Sequence, residues 1–347
     1  MEGDTLSFEA QQKYWAAGRV ASAVMRHVLE KCRAGCCVLE ICQEADWMVE
    51  NGKTAFPDVF SEDPGTVSCG VSLPTTVSVN ECVCNGRPAE SGAVLREGDL
   101  ASIELGVHVD GYPVVVGHSV IVGTSSEHTV QEKSVHVVSA ARSGFYKALE
   151  CVLVKGCSLT DITAEVRQTA AAWGCSNVDG VTCTEMFRYD VGGYEKGRTS
   201  LTEKNRHRFL FKPGGVYSVR VAFSSGEGKM QGETGKRAVL YQRTAAEKKG
   251  DFRVSKAKEL FEQIEKEKGG FPFVIPRDEG VLLGISELCQ KDILWKRIPF
   301  SDRKGERVCL FRTTVYIQPD GVVIRAVDDF CAPCSSGEGQ HTEVGLE

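Results

Sequence analysis

An internal duplication constrains this chain more than any other feature. Three pairs of short segments recur in the same order: Gly35-Cys36 with Gly156-Cys157 and Glu40-Ile41 with Asp161-Ile162, both at an offset of 121, and EGDLASIEL (Glu97 to Leu105) with PGGVYSVRV (Pro213 to Val221) at an offset of 116. Colinear matches at a nearly constant spacing are typical of a repeated structural unit. The sequence therefore predicts two similar halves.

The residue spacing inside each half predicts helices followed by strands. Apolar residues recur at three and four positions, as on one face of a helix, at Ala17, Val20, Ala21, Val24 and Val28. A similar, weaker pattern covers 140–154. Asp110-Gly111 separates two strand-like runs, 102–109 and 112–123, and this dipeptide is a strong hairpin signal. Each half is thus expected to hold two helices and then antiparallel strands, which is an α+β arrangement.

The second half carries an additional segment, from 229 to 276. Its residues Ala257, Leu260, Phe261 and Ile264 have helical spacing. We expect one domain over 10–330, with halves of about 10–125 and 130–330. The segment 229–276 is predicted to be an inserted subdomain, and 331–347 a loose C-terminal tail.

Composition excludes several protein classes. The chain has 347 residues, 42% hydrophobic and 25% charged, which is ordinary for a globular protein and unlike a disordered or fibrous one. No window approaches the roughly 18 apolar residues of a membrane helix. Its 15 cysteines are an odd number, scattered along the chain, and too small a fraction for a disulfide scaffold. We expect reduced thiols, no membrane contact and a cytoplasmic protein that also occurs in the nucleus or nucleolus.

Three stretches resemble a known family. They are LPTTVSVNECVC (Leu73 to Cys84), LREGDLASIELGVHVDGY (Leu95 to Tyr112) and VAFSSGEGK (Val221 to Lys229). They are similar to the methionine aminopeptidase superfamily, and more closely to its proliferation-associated branch, the erbB-three-receptor-binding proteins. Weaker likeness covers about 10–330. The resemblance implies the pita-bread (creatinase/aminopeptidase-like) fold, whose two duplicated halves have antiparallel sheets flanked by helices.

The resemblance also implies where a metal site would lie. Active members of the superfamily hold two divalent metals with two aspartates, a histidine and two glutamates. Carried over in that order, these ligands fall on Glu104, Val115, Thr184, Arg220 and Arg312. The substrate-binding histidine of such enzymes falls on Asn85.

Those replacements do not suit a metal. Guanidinium groups stay protonated in proteins, and a unit charge about 4 Å from a dication costs roughly 8 kcal/mol at an effective dielectric near 20. We therefore expect no metal, no cofactor and no catalysis. Glu104 should instead accept hydrogen bonds from Arg220, Arg312 or both, because buried guanidinium groups need a partner.

Two segments concentrate positive charge in a chain whose net charge is -6. The first contains nine basic residues against three acids: Lys229, Lys236, Arg237, Arg243, Lys248, Lys249, Arg253, Lys256 and Lys258. The candidates in the second are Lys204, Arg206, Arg208 and Lys212. A solvated surface explains such clusters as well as contacts with RNA phosphates do, on composition alone.

The family resemblance favours the RNA interpretation. It implies association with ribosomes, near the nascent-chain exit of the large subunit, and with structured RNA. We expect a monomeric, non-catalytic protein that binds ribosomes and rRNA in translation, ribosome biogenesis and growth regulation. The chain lacks the lysine-rich tail common in that branch, which puts tail-dependent RNA attachment in doubt. The alternatives are a peptide- or protein-binding adaptor that uses the former substrate pocket, and a residual metallopeptidase.

Overall fold

A computed structural model describes most of the chain. The described residues are 6–61, 67–123, 132–154, 157–178, 183–192, 210–232, 239–244, 252–267, 269–275 and 279–330. The predicted C-terminal tail, 331–347, lies outside them.

Seven α-helices and one 3-10 turn are present in this part of the chain. The helices are α1 (Phe8–Lys31), α2 (Val38–Glu50), α3 (Gly52–Ala55), α4 (Glu132–Leu153), α5 (Leu159–Ala172), α6 (Ser255–Glu267) and α7 (Glu279–Gln290), with the 3-10 turn at Pro57–Val59. Local chemistry fixes two of the helix starts. The Ser7 hydroxyl accepts the Ala10 N–H at the beginning of α1, and Ser158 and Asp161 form a reciprocal capping box at the beginning of α5.

The described residues form fourteen β-strands. They are β1 (Cys69–Val79), β2 (Cys82–Cys84), β3 (Leu100–Val109), β4 (Tyr112–Ile121), β5 (Ser176–Asn177), β6 (Thr184–Met186), β7 (Val216–Ser224), β8 (Gln231–Gly232), β9 (Leu240–Arg243), β10 (Phe273–Val274), β11 (Leu294–Arg297), β12 (Phe300–Ser301), β13 (Val308–Ile317) and β14 (Val323–Arg325). The predicted hairpin is confirmed between β3 and β4. Asp110 and Gly111 both have positive φ, 49° and 84°, as a tight hairpin turn requires.

One eight-stranded sheet unites the two halves. Its central order is β1-β3-β4-β13-β7-β5, with β14 beside β13 and β6 beside β7, and every pairing is antiparallel. Helices α1 and α2 pack on the strands of the first half, and α4 and α5 on those of the second. This repeated arrangement of two helices and a set of strands is the duplication that the sequence predicted.

The halves meet where β4 lies beside β13, and side-chain hydroxyls bridge this junction. The Thr314 hydroxyl accepts the Val115 N–H at 2.8 Å and donates to the Val115 carbonyl at 2.9 Å. On β4, the Ser119 hydroxyl accepts the Leu310 N–H at 2.9 Å and donates to the Leu310 carbonyl at 2.8 Å. Because both residues are buried, the hydroxyls satisfy backbone groups that would otherwise lack partners.

The inserted subdomain has a hydrophobic core of its own and is longer than predicted. Strands β10, β9 and β11 form a separate three-stranded sheet on which helices α6 and α7 pack. The sequence placed its end at 276, but the structure continues the unit through β11. The reason is that Ile285, Leu288, Ile293 and Leu294 are buried against Tyr241, so the second helix and third strand complete the core. The short β8, where the prediction began, belongs to a different small sheet with β2 and β12.

None of the helices that the structure describes is both long enough and apolar enough to cross a bilayer.

Candidate functional site

Strand alternation separates two faces of the central sheet. On β3, the odd-numbered Ile103, Leu105 and Val107 are buried in the core that contains α1 and α2. Side chains of successive residues point to opposite faces. Glu104 therefore lies on the face that turns away from these helices. On β7 and β13, the odd-numbered Val219, Val221 and Phe311 are buried in the core that contains α4 and α5. The even-numbered Arg220 and Arg312 therefore lie on the opposite face, like Glu104.

The register brings these three residues into one row across the sheet. Glu104 is opposite Gly117, Gly117 is opposite Arg312, and Arg312 is opposite Arg220. Arg220 Nη2 donates to one carboxylate oxygen of Glu104 at 2.8 Å, and Arg312 Nη1 donates to the other at 3.1 Å. The ion pair predicted from the sequence is confirmed, with both arginines engaged. Arg297 on β11 adds a fourth charge near Glu104, and we call these four residues the central cluster.

The central cluster is charged although it is buried. The side chains of Glu104 and Arg312 are only 7% and 9% exposed, and that of Arg220 is 16% exposed. Burial opposes the ionisation of Glu104, but the charges of Arg220, Arg312 and then Arg297 outweigh it and hold the pKa of this carboxyl below its usual value. Burial lowers the pKa of Arg312 to about 10, which leaves the guanidinium charged at neutral pH.

Second partners fix the orientation of the two arginines. Arg312 Nε donates to the buried hydroxyl of Ser218 at 2.7 Å, so this guanidinium bonds along two of its edges. Arg220 lies within hydrogen-bonding reach of the Cys84 thiol on β2. Burial raises the pKa of Cys84, despite the opposing charge of Arg220, so Cys84 is a neutral thiol here.

The other positions carried over from the family provide neither a carboxylate nor an imidazole. Val115 is fully buried in the first hydrophobic core. Thr184 lies on β6 directly opposite Ser218, and its hydroxyl has no hydrogen-bond partner among the residues that the structure describes. The Asn85 side chain donates to the Ile298 carbonyl at 2.9 Å and so connects β2 to the chain that leaves the inserted subdomain.

Sequence reasoning missed Arg297, which joins the cluster from the inserted subdomain. It is half-buried on β11, its Nη1 donates to Gln242 Oε1 at 2.7 Å, and Trp295 Nε1 donates to the same oxygen at 3.2 Å. Burial lowers the pKa of Arg297, and the nearby charge of Arg220 lowers it further. No sequence signal identified it, because its position depends on how the insertion folds back on the sheet.

Gly117 was also missed, although a signal for it existed. A two-residue turn at Asp110-Gly111 fixes the register of the hairpin and places Gly117 opposite Glu104. A Cβ atom at this position would lie 2.9 Å from Arg312 Cβ and 3.3 Å from Glu104 Cγ. Glycine is therefore needed where the glutamate and the arginine meet across a strand.

The donor set of the central cluster does not fit a divalent metal. Hard and borderline metals take carboxylate, imidazole or thiolate ligands, whereas Glu104 is the one carboxylate in this row and both its oxygens already accept from arginine. Within the described residues, no group of three or more His, Cys, Asp or Glu side chains is placed to hold a metal ion.

The predicted RNA-contacting residues fall into two groups, inside and outside the part of the chain that the structure describes. Lys204, Arg206, Arg208, Lys236, Arg237, Lys248 and Lys249 lie outside the described residues. Four of the others each have a glutamate partner: Lys229 with Glu227 at 3.1 Å, Arg243 with Glu265 at 3.0 Å, Lys256 with Glu259 at 2.7 Å and Lys258 with Glu262 at 4.0 Å. Lys212 and Arg253 are exposed.

These pairs reduce the local field that composition suggested. The basic segment has a net charge of +6 up to Lys258, but the rest of α6 adds four glutamates and one lysine and lowers it to +3. The lysines of α6 thus lie on a mixed-charge helix, which is typical of a solvated surface.

Comparison with known proteins gives consistent results. The sequence profile of metallopeptidase family M24 matches residues 12–237. Proliferation-associated protein A of Dictyostelium discoideum is 30% identical over 313 residues, covering 89% of this chain and 79% of that protein. ERBB-3 binding protein 1 of Solanum tuberosum is 26% identical over 327 residues, covering 92% and 82%. Among solved structures, a thermophilic Arx1 superposes with a TM-score of 0.78 at 20% identity, covering 92% of this chain and 91% of that one.

Proposed function

The chain belongs to metallopeptidase family M24, and from that premise we propose that it is a non-catalytic member that binds ribosomes and structured RNA. One observation carries the non-catalytic part. Arg220 and Arg312 occupy both oxygens of Glu104, at the place where the family resemblance puts the metal ligands. A guanidinium neither ligates a metal nor activates water at neutral pH.

The names of the relatives support the same conclusion. Two relatives at 30% and 26% identity are called proliferation-associated protein A and ERBB-3 binding protein 1, names that describe no peptidase, whereas the methionine aminopeptidases that also match are 22–25% identical. The resemblance to the proliferation-associated branch supports a ribosomal role in translation or ribosome assembly. Such a role fits the cytoplasm, with the nucleus or nucleolus for assembly steps.

The RNA part of the proposal depends on the basic segments. Lys212 and Arg253 are exposed and form no ion pair within the described part of the chain. With the basic residues of 236–249 and 204–208, they supply positive charge for a phosphate backbone. Contact through lysine and arginine releases counterions, so binding should weaken steeply as salt rises.

Co-sedimentation with purified ribosomes across a salt series tests this proposal. We expect binding at low salt, a linear fall of log affinity with log salt, and a preference for large subunits over small ones. Absence of sedimentation at the lowest salt would contradict a ribosomal role. Ribosome binding that does not change with salt would contradict contact through phosphates.

A second candidate is a protein-binding adaptor. The relative from Solanum tuberosum is named for binding ERBB-3, and Trp295, beside the central cluster, is 44% exposed. An adaptor would capture a peptide without cleaving it. Salt-insensitive capture of a peptide, with no ribosome sedimentation, would favour this function over the first.

A further inference from the structure

The central cluster has an excess of positive charge. Arg220, Arg297 and Arg312 carry three positive charges, and Glu104 carries one negative charge. Arg297 forms no ion pair with any residue that the structure describes. The formal charge of the cluster is therefore +2, in a place where its side chains are largely shielded from water. Shielded charge is unfavourable unless a counter-charge accompanies it.

The cluster also has donors that are not used. The Nε atoms of Arg220 and Arg297 are buried and find no hydrogen-bond acceptor among the described residues, and the same holds for the Thr184 hydroxyl. Thr184 belongs to the same neighbourhood, since it lies opposite Ser218, which bonds Arg312. An unsatisfied buried donor is unfavourable, and more so when it is charged. These atoms are thus free to bind acceptor oxygens.

We propose that the central cluster is a binding site for a small dianionic oxyanion, a phosphate group or a short dicarboxylate. Two negative charges balance the excess of two positive charges. Oxyanions with several acceptor oxygens suit guanidinium donors, because one planar guanidinium can donate two parallel hydrogen bonds to two oxygens of the same anion. Glu104 stays in place as the group that holds Arg220 and Arg312 apart and oriented.

The bound oxyanion would connect two parts of the fold. Arg220 and Arg312 belong to the central sheet, on β7 and β13, whereas Arg297 belongs to β11 of the inserted subdomain and is held there by Gln242. An anion that contacts both groups of arginines ties the insertion to the sheet. Ligand binding should therefore stabilise the whole protein against heat. This site does not depend on ribosome binding.

Calorimetric titration with inorganic phosphate and, separately, with malonate tests the proposal. Both titrations are run at constant ionic strength, with chloride as the balancing ion. We expect saturable binding of one anion per chain and a concentration-dependent rise in Tm for at least one probe. The probe that binds more tightly identifies whether the site prefers phosphate or carboxylate.

Three variants separate a specific site from general charge attraction. Arg297→Gln should weaken binding by about tenfold or more, the loss expected for a charged hydrogen bond. Arg297→Lys keeps the charge but loses the Nε donor. Its affinity for the anion should lie between those of the wild type and Arg297→Gln. Arg303→Gln removes the same charge from an exposed arginine, 64% accessible, and should bind like the wild type.

Two results would overturn the proposal. One is the absence of saturable binding for either probe in a protein that melts cooperatively. The other is binding that Arg297→Gln and Arg220→Gln both leave unchanged while Arg303→Gln weakens it. Because Arg220→Gln disturbs the pair with Glu104, its unfolding transition is checked first, and Arg297→Gln alone decides the test if Arg220→Gln does not fold.

Discussion

Arg312 lies directly opposite Gly117, and this register pair joins the two halves of the central sheet. The absence of a side chain at Gly117 lets Arg312 reach across the strand to Glu104. The hydroxyls of Ser119 and Thr314 lie two residues to either side of this pair and bridge the same junction. The contact between the halves and the central cluster thus depend on the same few residues.

Gly117→Ala should destabilise the protein. The added Cβ would lie 2.9 Å from Arg312 Cβ and 2.9 Å from Leu310 Cδ2, closer than packed carbons allow. Overpacking of this kind costs about 1–3 kcal/mol, which urea unfolding measures. Gly232→Ala is the control, because its nearest contact is the end of the flexible Ile298 side chain at 2.9 Å. Equal effects of the two substitutions would contradict the argument.

Removal of Glu104 should cost more. Glu104→Ala leaves two shielded guanidinium groups without their carboxylate, and breaking a buried pair costs about 3–5 kcal/mol. Glu104→Asp keeps the charge and should cost less. Glu30→Ala, on the exposed face of α1, should stay within about 0.5 kcal/mol of the wild type. An unchanged unfolding free energy for Glu104→Ala would show that the ion pair contributes nothing to stability.

His118 should make stability depend on pH. Burial lowers its pKa to about 4, with Arg325 and Arg142 acting in the same direction and Asp329 opposing them. Its unfolded pKa is about 6.5, so between these values the unfolded chain binds a proton that the folded protein does not. Stability should therefore fall as pH decreases from about 6.5 to about 4, by at most about 3 kcal/mol.

A comparison of two variants isolates this contribution from that of the carboxylates. His118→Gln should show a flatter decline of the unfolding free energy between pH 7 and pH 4 than the wild type does. Gln12→Ala, at an exposed residue of α1 that does not titrate, should decline like the wild type. A His118→Gln profile parallel to that of the wild type would mean that this imidazole does not titrate differently on folding.

The purified protein should hold far less than one transition metal per chain and should release no N-terminal methionine. The reason is the donor set, in which arginines stand where carboxylate ligands are expected. Elemental analysis after incubation with cobalt or manganese, and a peptide-cleavage assay, check this, with an active methionine aminopeptidase as the positive control. Near-stoichiometric metal together with turnover would revive the peptidase interpretation.

Neutralising part of the basic insertion should weaken ribosome binding. The variant replaces Lys248, Lys249, Arg253 and Lys256 with alanine. Each lost phosphate contact should reduce the log-log salt slope by about 0.9 for duplex or about 0.7 for single strands. The control removes four exposed basic residues elsewhere: Arg33, Arg96, Arg142 and Arg167. Equal weakening by both variants would show that the effect depends only on net charge. If the insertion variant binds as the wild type does, the ribosome contact lies elsewhere, and the next candidates are Lys204, Arg206, Arg208 and Lys212.

The sequence by itself determined the architecture of the two halves. Short-range signals were sufficient for this, because helix periodicity, strand alternation and the Asp110-Gly111 turn each depend on neighbouring residues. The match between Glu97–Leu105 and Pro213–Val221 placed Glu104 and Arg220 at equivalent positions, and family resemblance added Arg312. The ion pair among these residues followed, because a buried guanidinium needs a counter-charge and Glu104 is the carboxylate at the equivalent position.

Only the tertiary structure decided what surrounds that ion pair. Arg297 joins the cluster because the insertion packs its own core and places β11, a strand of its separate three-stranded sheet, so that Arg297 lies near Glu104, a long-range event that no local pattern encodes. The glutamates of α6 are a different case, because Glu259 and Glu262 lie three and four residues after Lys256 and Lys258, a local spacing that the sequence itself contains. Whether a basic residue is available for RNA depends on where its side chain lies relative to the acids, and composition records only that both are present.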